Sequence, residues 1–296
     1  MSSHPRSSAA APLDDQDLLS EILLRLPPLP SSLPRASLAC KLWRRIVSDA
    51  RFLRRFREHH RRNPPLLGCF VQNLSTVHFE PMLEAPNRVS QARFSFPIDA
   101  GDYCLPIGCR HGLALIFHPW RKLLVWDPIT GNQHRLNIPP GFDREKIISG
   151  AVLRAAERSP TSRQSLSVIH VPVDVVDVDN CLFTVMRAEG GGLGFLFISG
   201  NCIQLWKRNT DCDGVASWVL ERTVALDKLL SVNSEEGSQS PRILGFAEDN
   251  NAVLVWTFIG IFMVQFESLQ FKKLFKSYCW FRYYPFEGVY TAGLLT

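Results

Sequence analysis

The spacing of apolar residues changes once along the chain, near residue 65. Before that point they recur at helical intervals; after it they come in short alternating or unbroken runs. Leu18, Leu19, Ile22, Leu23 and Leu26 predict one helical stripe, with Asp17 at the N-cap and Glu21 in the first turn, where the helix dipole favours a carboxylate. Pro27, Pro28 and Pro30 stop this helix, because proline lacks the amide donor and its ring clashes with the preceding turn. Leu33 to Cys40 predicts a short second helix with Leu33, Ala36 and Leu38 inward. Trp43, Ile46 and Val47 give a third apolar face between Lys41, Arg44, Arg45 and Asp49. About forty residues is near the lower limit for an independent core, so part of the apolar stripe is expected to wait for a partner.

The next segment, FLRRFREHHRRNPP, alternates Phe52, Leu53 and Phe56 with Arg54, Arg55, Arg57, Arg61 and Arg62. It predicts a basic amphipathic helix ended by Asn63-Pro64-Pro65, with residues 54–65 linking the three helices to the remainder of the chain. Two uses compete for it. One is contact with nucleic acid or an anionic membrane; the other is a linker that packs its apolar face and keeps its arginines in water. The second is preferred, because no aromatic platform is interleaved with the basic residues as single-stranded nucleic acid requires.

From Leu66 onward the chain predicts strands: LLGCFVQN, STVHFE, ARFSFPI, LALIF after Gly112, and LLVWDP. DPITGNQHRLNIPP has hairpin chemistry, with Asp127-Pro128 to enter, Thr130-Gly131-Asn132 to reverse and His134-Arg135-Leu136 to leave. AVLRAA, SLSVIHV, LFTVMRAE, GFLFIS, CIQLWKR, SWVLE and ILGFAE come next; Val224 to Val232 is the helical exception. The uncharged run 250–266 is too short for a membrane helix and is dense in β-formers, so it predicts a buried hairpin turning near Gly260. Many short strands with Gly, Pro, Asp and Asn between them indicate a propeller, barrel or sandwich.

Charge sharpens the division. Of the formal net +5, ten Arg or Lys against Asp49 and Glu58 place +8 between Arg35 and Arg62, leaving the rest near −3. Eight cysteines, at 40, 69, 104, 109, 181, 202, 212 and 279, form no CxxC pair. Their scatter, without a secretory leader, argues for reduced thiols and a cytoplasmic or nuclear location. Residues 1–12, rich in Ser, Ala and Pro, read as a disordered tail.

No constellation argues for bond chemistry. Cys104, Cys109 and His111 have only His118 as a fourth zinc ligand, across a strand-like run. Asp174, Asp177 and Asp179 lack the glycine and glutamate of a calcium loop. The glycines at 190–192 and 194 precede a strand rather than the helix a phosphate cradle needs, and read as a reversal. His78, His134 and His170 fall in strand-like runs, as packing or surface residues, and Trp126, Trp206 and Trp256 fall late in such runs, where packing between sheets is expected. No cofactor and no metal are expected.

The run DLLSEILLRLP, then LPRASLACKLW, then RRIVSDARFL resembles an F-box in order and spacing. Asp14 and Asp15 stand where family members commonly carry Leu-Pro. The stretches GCRHGLALIF, LLVWDPITGNQHRLNIPP and AEGGGLGFLFISGNCIQLWKR resemble the carboxy-terminal domain of a large group of plant F-box proteins, which is similar to kelch and other F-box-associated β-propellers. The resemblance implies an α+β, multi-domain chain: an F-box at 13–53, the basic linker helix at 54–65, and a mainly β, propeller-like domain at 66–296. The segment around 157–165 is shorter than the family pattern, so the propeller is expected to be incomplete or open. The resemblance also implies docking on a Skp-type adaptor, and through it a cullin-RING ubiquitin ligase, by Leu18, Leu19, Ile22, Leu23, Leu26, Pro27, Leu33, Cys40 and Trp43. Some of these must hold the helices together instead. The β domain would hold an unidentified target protein; no nucleic acid, membrane or catalytic role is expected. The alternative is a non-catalytic propeller interaction protein whose F-box is degenerate and joins no ligase.

Overall fold

The computed structural model describes residues 15–73, 76–95, 105–117, 123–136, 183–188, 192–210, 212, 216–230, 240–275 and 281–291. The expected tail, Asp14, the runs AVLRAA and SLSVIHV, the short segment at 157–165, the three aspartates at 174–179, and Cys104, His118 and His170 lie outside the described residues.

Four helices open the chain: α1 (Gln16–Leu24), α2 (Ser32–Ser37), α3 (Lys41–Val47) and α4 (Ala50–His59). The cap of α1 is Asp15, not Asp17: its carboxylate accepts from the amides of Asp17 and Leu18, and Asp17 takes the first turn. Glu21 lies beyond that turn and pairs with Arg55 of α4. Leu38 does not point inward. It is 76% exposed, because five residues after Leu33 it has rotated to the far side of a 3.6-residue period. The basic segment is no separate linker either. Asp49 caps α4 through the amides of Arg51 and Phe52, so the expected boundary after residue 53 falls inside one helix. Phe52, Leu53 and Phe56 bury the inner face of α4 against Leu19, Leu23, Leu33, Ile46 and Val47. That fourth face supplies the apolar area that three short helices lack; a fully buried Phe or Leu contributes about 1.5–3 kcal/mol.

The remaining chain folds into four antiparallel sheets among the described residues. The first joins β1 (Leu66–Gln72) to β2 (Val77–Pro81) and to the last strand, β15 (Arg282–Glu287). The second runs β3 (Leu105–Arg110), β4 (Leu113–Phe117), β5 (Leu123–Trp126), β6 (Gln133–Leu136). The third runs β7 (Phe183–Arg187), β8 (Leu193–Ser199), β9 (Cys202–Thr210), β10 (Ala216–Ala225); the fourth β11 (Arg242–Ala247), β12 (Ala252–Thr257), β13 (Gly260–Gln265), β14 (Phe271–Phe275). The strands β3, β7, β11 and β15 are the inner ones. β15 touches β3 and β11, β11 touches β7, and Arg110 at the end of β3 donates to the Val185 carbonyl of β7. The sheets therefore succeed one another round a ring, in the manner of propeller blades, and pairing of β15 with β1 joins the two ends of the chain.

Both predicted hairpins form. β12 and β13 turn at Phe258-Ile259, with Thr257 opposite Gly260. Between β5 and β6 the Asp127 carboxylate accepts from the amides of Ile129 and Thr130, and Gly131 supplies the positive φ of the reversal. Two expected elements differ. ARFSFPI is not a strand where it is described: residues Gln91–Phe94 form a 3-10 turn that plugs Phe94 among Phe79, Phe286 and Tyr290. Of the expected 224–232 helix, Leu226–Leu230 is helical (α5), Val224 and Ala225 still pair with Ile203 and Cys202, and residues 231–232 lie outside the described residues.

Where β11 crosses β15 the backbones meet at Gly245, after a register shift in β11. A Cβ there would lie 2.5 Å from the Tyr283 carbonyl oxygen and 2.7 Å from Pro285 Cδ. Gly245→Ala is therefore expected to destabilise the chain by about 1–3 kcal/mol, read as a lower thermal midpoint.

Candidate functional site

Two surfaces stand out. The first is on the helices. α1 carries two apolar stripes where the sequence suggested one. Leu19 and Leu23, both 0% exposed, face the helical core; Leu18 and Ile22, 45% and 40% exposed, lie one turn apart on the outer side. Leu26 continues the outer stripe and is half-buried, as is Trp43, each packing one side on the core. Pro27, Leu38 and Cys40 are exposed. The nine residues predicted for docking thus divide. Leu19, Leu23 and Leu33 hold the helices together and offer no surface, because their side chains are sealed by α3 and α4. Leu18, Ile22, Leu26, Pro27, Cys40 and Trp43 reach the solvent.

The helices do not swing freely from the ring. Val289, just past β15, is part of the helical core. The amide and hydroxyl of Ser31 donate to Asn87 Oδ1 at 3.1 and 2.7 Å, and Arg57 donates to Thr291 Oγ1 at 2.9 Å. These contacts leave the outer stripe of α1 open to solvent.

The second surface is the end of the ring beneath α4, which sequence reasoning missed. Each inner strand finishes there on a charged residue: Arg110 on β3, Arg187 on β7, Glu248 just after β11 and Glu287 on β15. Arg110 and Glu248, each about nine-tenths buried, pair at 3.3 Å, and the Arg187 amide donates to Glu248 Oε1 at 2.9 Å. Burial lowers the Arg110 guanidinium, with Glu248 opposing that shift. Glu287 accepts from the amides of Asp249 and Asn250 and from Asn250 Nδ2, which fixes the β11–β12 turn. Beside it His111 Nδ1 faces Asp249 Oδ1 at 3.7 Å. Arg54 and Arg57 of α4 border this end of the ring.

Burial pushes the Glu287 carboxyl up to about 7. The Asp249 carboxylate holds the His111 imidazole above its usual value against burial. Both shifts act with one sign on stability. A carboxyl with a raised folded pKa binds its proton more tightly when folded, so stability falls as pH climbs from the ordinary glutamate range through about 7. A raised histidine contributes stability that is complete below its unfolded pKa and is lost as pH rises through the folded one. The thermal midpoint is expected to fall between about pH 5 and pH 8, with Glu287 accounting for on the order of 2–3 kcal/mol. Glu287→Gln should flatten the lower part of that slope.

Other candidate sites do not assemble. Cys109 lies in β3, its thiol pushed up by burial, and His111 is turned to Asp249 instead. Among the described residues no group of three or more His, Cys, Asp and Glu is placed to hold a metal ion, and no helix is long and apolar enough to cross a membrane. Arg187 pairs with Leu193 across β7 and β8, and the Ala188 amide donates to the Gly192 carbonyl, while Gly190 and Gly191 of the glycine run lie outside the described residues. Trp126 and Trp256 are buried between sheets, while Trp206 stacks on Phe195.

Residues 15–55 match the family model of the F-box domain, so the amino-terminal module is an F-box. The chain is 30% identical over 119 residues to a putative F-box protein of Arabidopsis thaliana. That match covers 38% of this chain and 30% of the relative, so the chain spans less than a third of the relative's length. No solved structure matches the chain.

Proposed function

We propose that this F-box-containing chain is the target-recognition subunit of an SCF-type cullin-RING ubiquitin ligase. The observation that carries the proposal is the exposed pair Leu18 and Ile22, continued by half-buried Leu26, on an F-box whose core closes without Leu18 and Ile22. Large aliphatic side chains held at a surface by a closed core favour a protein partner that removes them from water. The Skp-type adaptor would cover this stripe with Pro27, Cys40 and Trp43 at its margin, and the propeller-like ring would hold the target. The chain would break no bond itself. It would raise the target's concentration beside a ligase-bound conjugating enzyme. Five described cysteines are free thiols, which suits a cytoplasmic or nuclear location.

Co-expression of the full chain with a Skp-type adaptor tests this. A one-to-one complex that survives size exclusion at micromolar concentration is expected. Absence of any complex favours the second reading, a propeller interaction protein with a degenerate F-box. That reading draws on Asp15, which serves as a helix cap at a position where the family commonly places proline.

A further inference from the structure

Beyond Glu287 the chain leaves β15 and passes between the ring and the helices, and its side chains go to the two bodies by turns. Val289, 6% exposed, lies in the helical core with Leu23 and Phe56; the other buried members of that core come from residues 19–56. Tyr290 packs on the aromatic cluster of the ring, its ring centroid 5.9 Å from that of Phe94. Thr291, 3% exposed, accepts from Arg57 of α4 at 2.9 Å. The Gly288 amide donates to the Pro65 carbonyl at 3.1 Å, which fixes the backbone where this segment begins. Adjacent residues are tied by about 3.8 Å of chain, so Val289 does not leave the helices without moving Tyr290 in the ring. The other strand of the closing pair is held at the same end. β1 begins at Leu66, opposite Glu287, and Asn250 Nδ2 donates to the Pro64 carbonyl at 3.1 Å just before it. Both strands that close the ring therefore run directly into the helical module.

We propose that residues 288–291 are a strap through which docking of the adaptor on the helices tightens the β1–β15 closure of the ring. The proposal rests on the receptor reading above and adds a regulation to it: a chain free of adaptor carries the looser ring, and a chain in the ligase the firmer one. The reason is linkage. Opening of β15 withdraws Val289 and Thr291 from the helices, and the adaptor binds only helices that keep their shape. With adaptor about a hundredfold above its dissociation constant, states with disordered helices become about a hundredfold rarer. Coupling of this kind is reciprocal, so a target that needs the closed ring favours adaptor capture by the same factor.

Hydrogen exchange on the full chain, read by mass spectrometry, tests this. The amides of β15 and β1 are compared with those of β9, which lies in the third sheet and has no part in the closure. Saturating adaptor is expected to slow exchange in β15 and β1 by at least about tenfold, and in β9 by less than about threefold. Val289→Ala should keep adaptor capture, because the outer stripe of α1 is untouched, and should lose most of that slowing. A second arm needs no adaptor. Leu33→Ala opens a cavity in the helical core and should speed exchange in β15 several-fold more than in β9. Unchanged exchange in β15 on adaptor binding, equal slowing of β9, equal slowing in Val289→Ala, or indifference of β15 to Leu33→Ala each overturns the proposal. Where Val289→Ala does not fold, the unmodified chain with and without adaptor decides it together with Leu33→Ala. Adaptor capture in the same samples separates the two claims. Capture without slowing sinks the strap alone; no capture, with β15 faster in Leu33→Ala, sinks the ligase assignment while the strap stands as the link between helices and ring.

Discussion

Replacing Leu18 and Ile22 together by aspartate is expected to abolish adaptor capture while leaving the thermal midpoint almost unmoved. Both side chains stand outside the helical core, so two carboxylates there remain in water and create no cavity. In a complex the same carboxylates would be buried in an apolar contact without partners. Truncating an interface anchor typically costs about 2 kcal/mol or more, so two anchors correspond to about a thousandfold in affinity before any charge penalty. Pull-down with adaptor and a melt on the same preparation read the two halves of the prediction. Leu23→Asp is the informative contrast. Leu23 is fully buried one residue along the same helix, and a carboxylate there should unfold the helices. Undiminished adaptor capture by the outer-stripe double variant would remove this face from the ligase account.

The contrast between Ile22 and Leu23 also marks what can be read from a sequence. Helical spacing identifies α1 and its leucines, since side chains three and four apart share a face. It merges two stripes into one, because 18, 22, 26 and 19, 23 are both i, i+4 series, and only the position of α3 and α4 decides which is inside. Leu38 misleads for a related reason: an apolar residue at a helix end reads as core until its rotation is counted from Leu33. The strands are legible through alternation and turn chemistry, as at Asp127 to Gly131. Phe94 is not, because a single 3-10 turn leaves no period to detect.

The charged end of the ring has a signal that single-motif searching passes over. Arg110, Arg187, Glu248 and Glu287 belong to four unrelated local sequences, and none resembles a ligand set. They coincide only when the inner strand of each sheet is aligned on its last residue. Their pairings are long-range, so chain spacing carries no trace of them: Arg110 and Glu248 are 138 residues apart. The repeated architecture supplies the register, and a search for charge at equivalent strand ends would have found the cluster.

Phe286→Ala is expected to produce the largest loss of stability in the ring and to take the F-box with it. Phe286 is fully buried on β15 and meets Phe70 and Phe94 at ring-centroid distances of 5.5 Å and Phe79 at 6.3 Å. Removing so large a side chain from a packed site costs about 3–5 kcal/mol, since the neighbours cannot close on the cavity. At roughly 2–4 °C per kcal/mol for a chain of this size, the midpoint should fall by about 10 °C. The consequence for the helices comes from the chain path. β15 closes the ring on β1, and three residues after Phe286 the chain enters the helical core at Val289. Loosening β15 therefore withdraws a side chain from the F-box as well as a strand from the first sheet. Adaptor capture and the thermal transition of the ring should then be lost together, at the same temperature, in the variant as in the unmodified chain. Val289→Asp offers the converse cut, placing a carboxylate in the apolar surroundings of Leu23 and Phe56 without touching the aromatic cluster. It should weaken the helices first, splitting one transition into two. A Phe286→Ala chain whose helical transition stays where it was would show that the F-box folds independently of the ring.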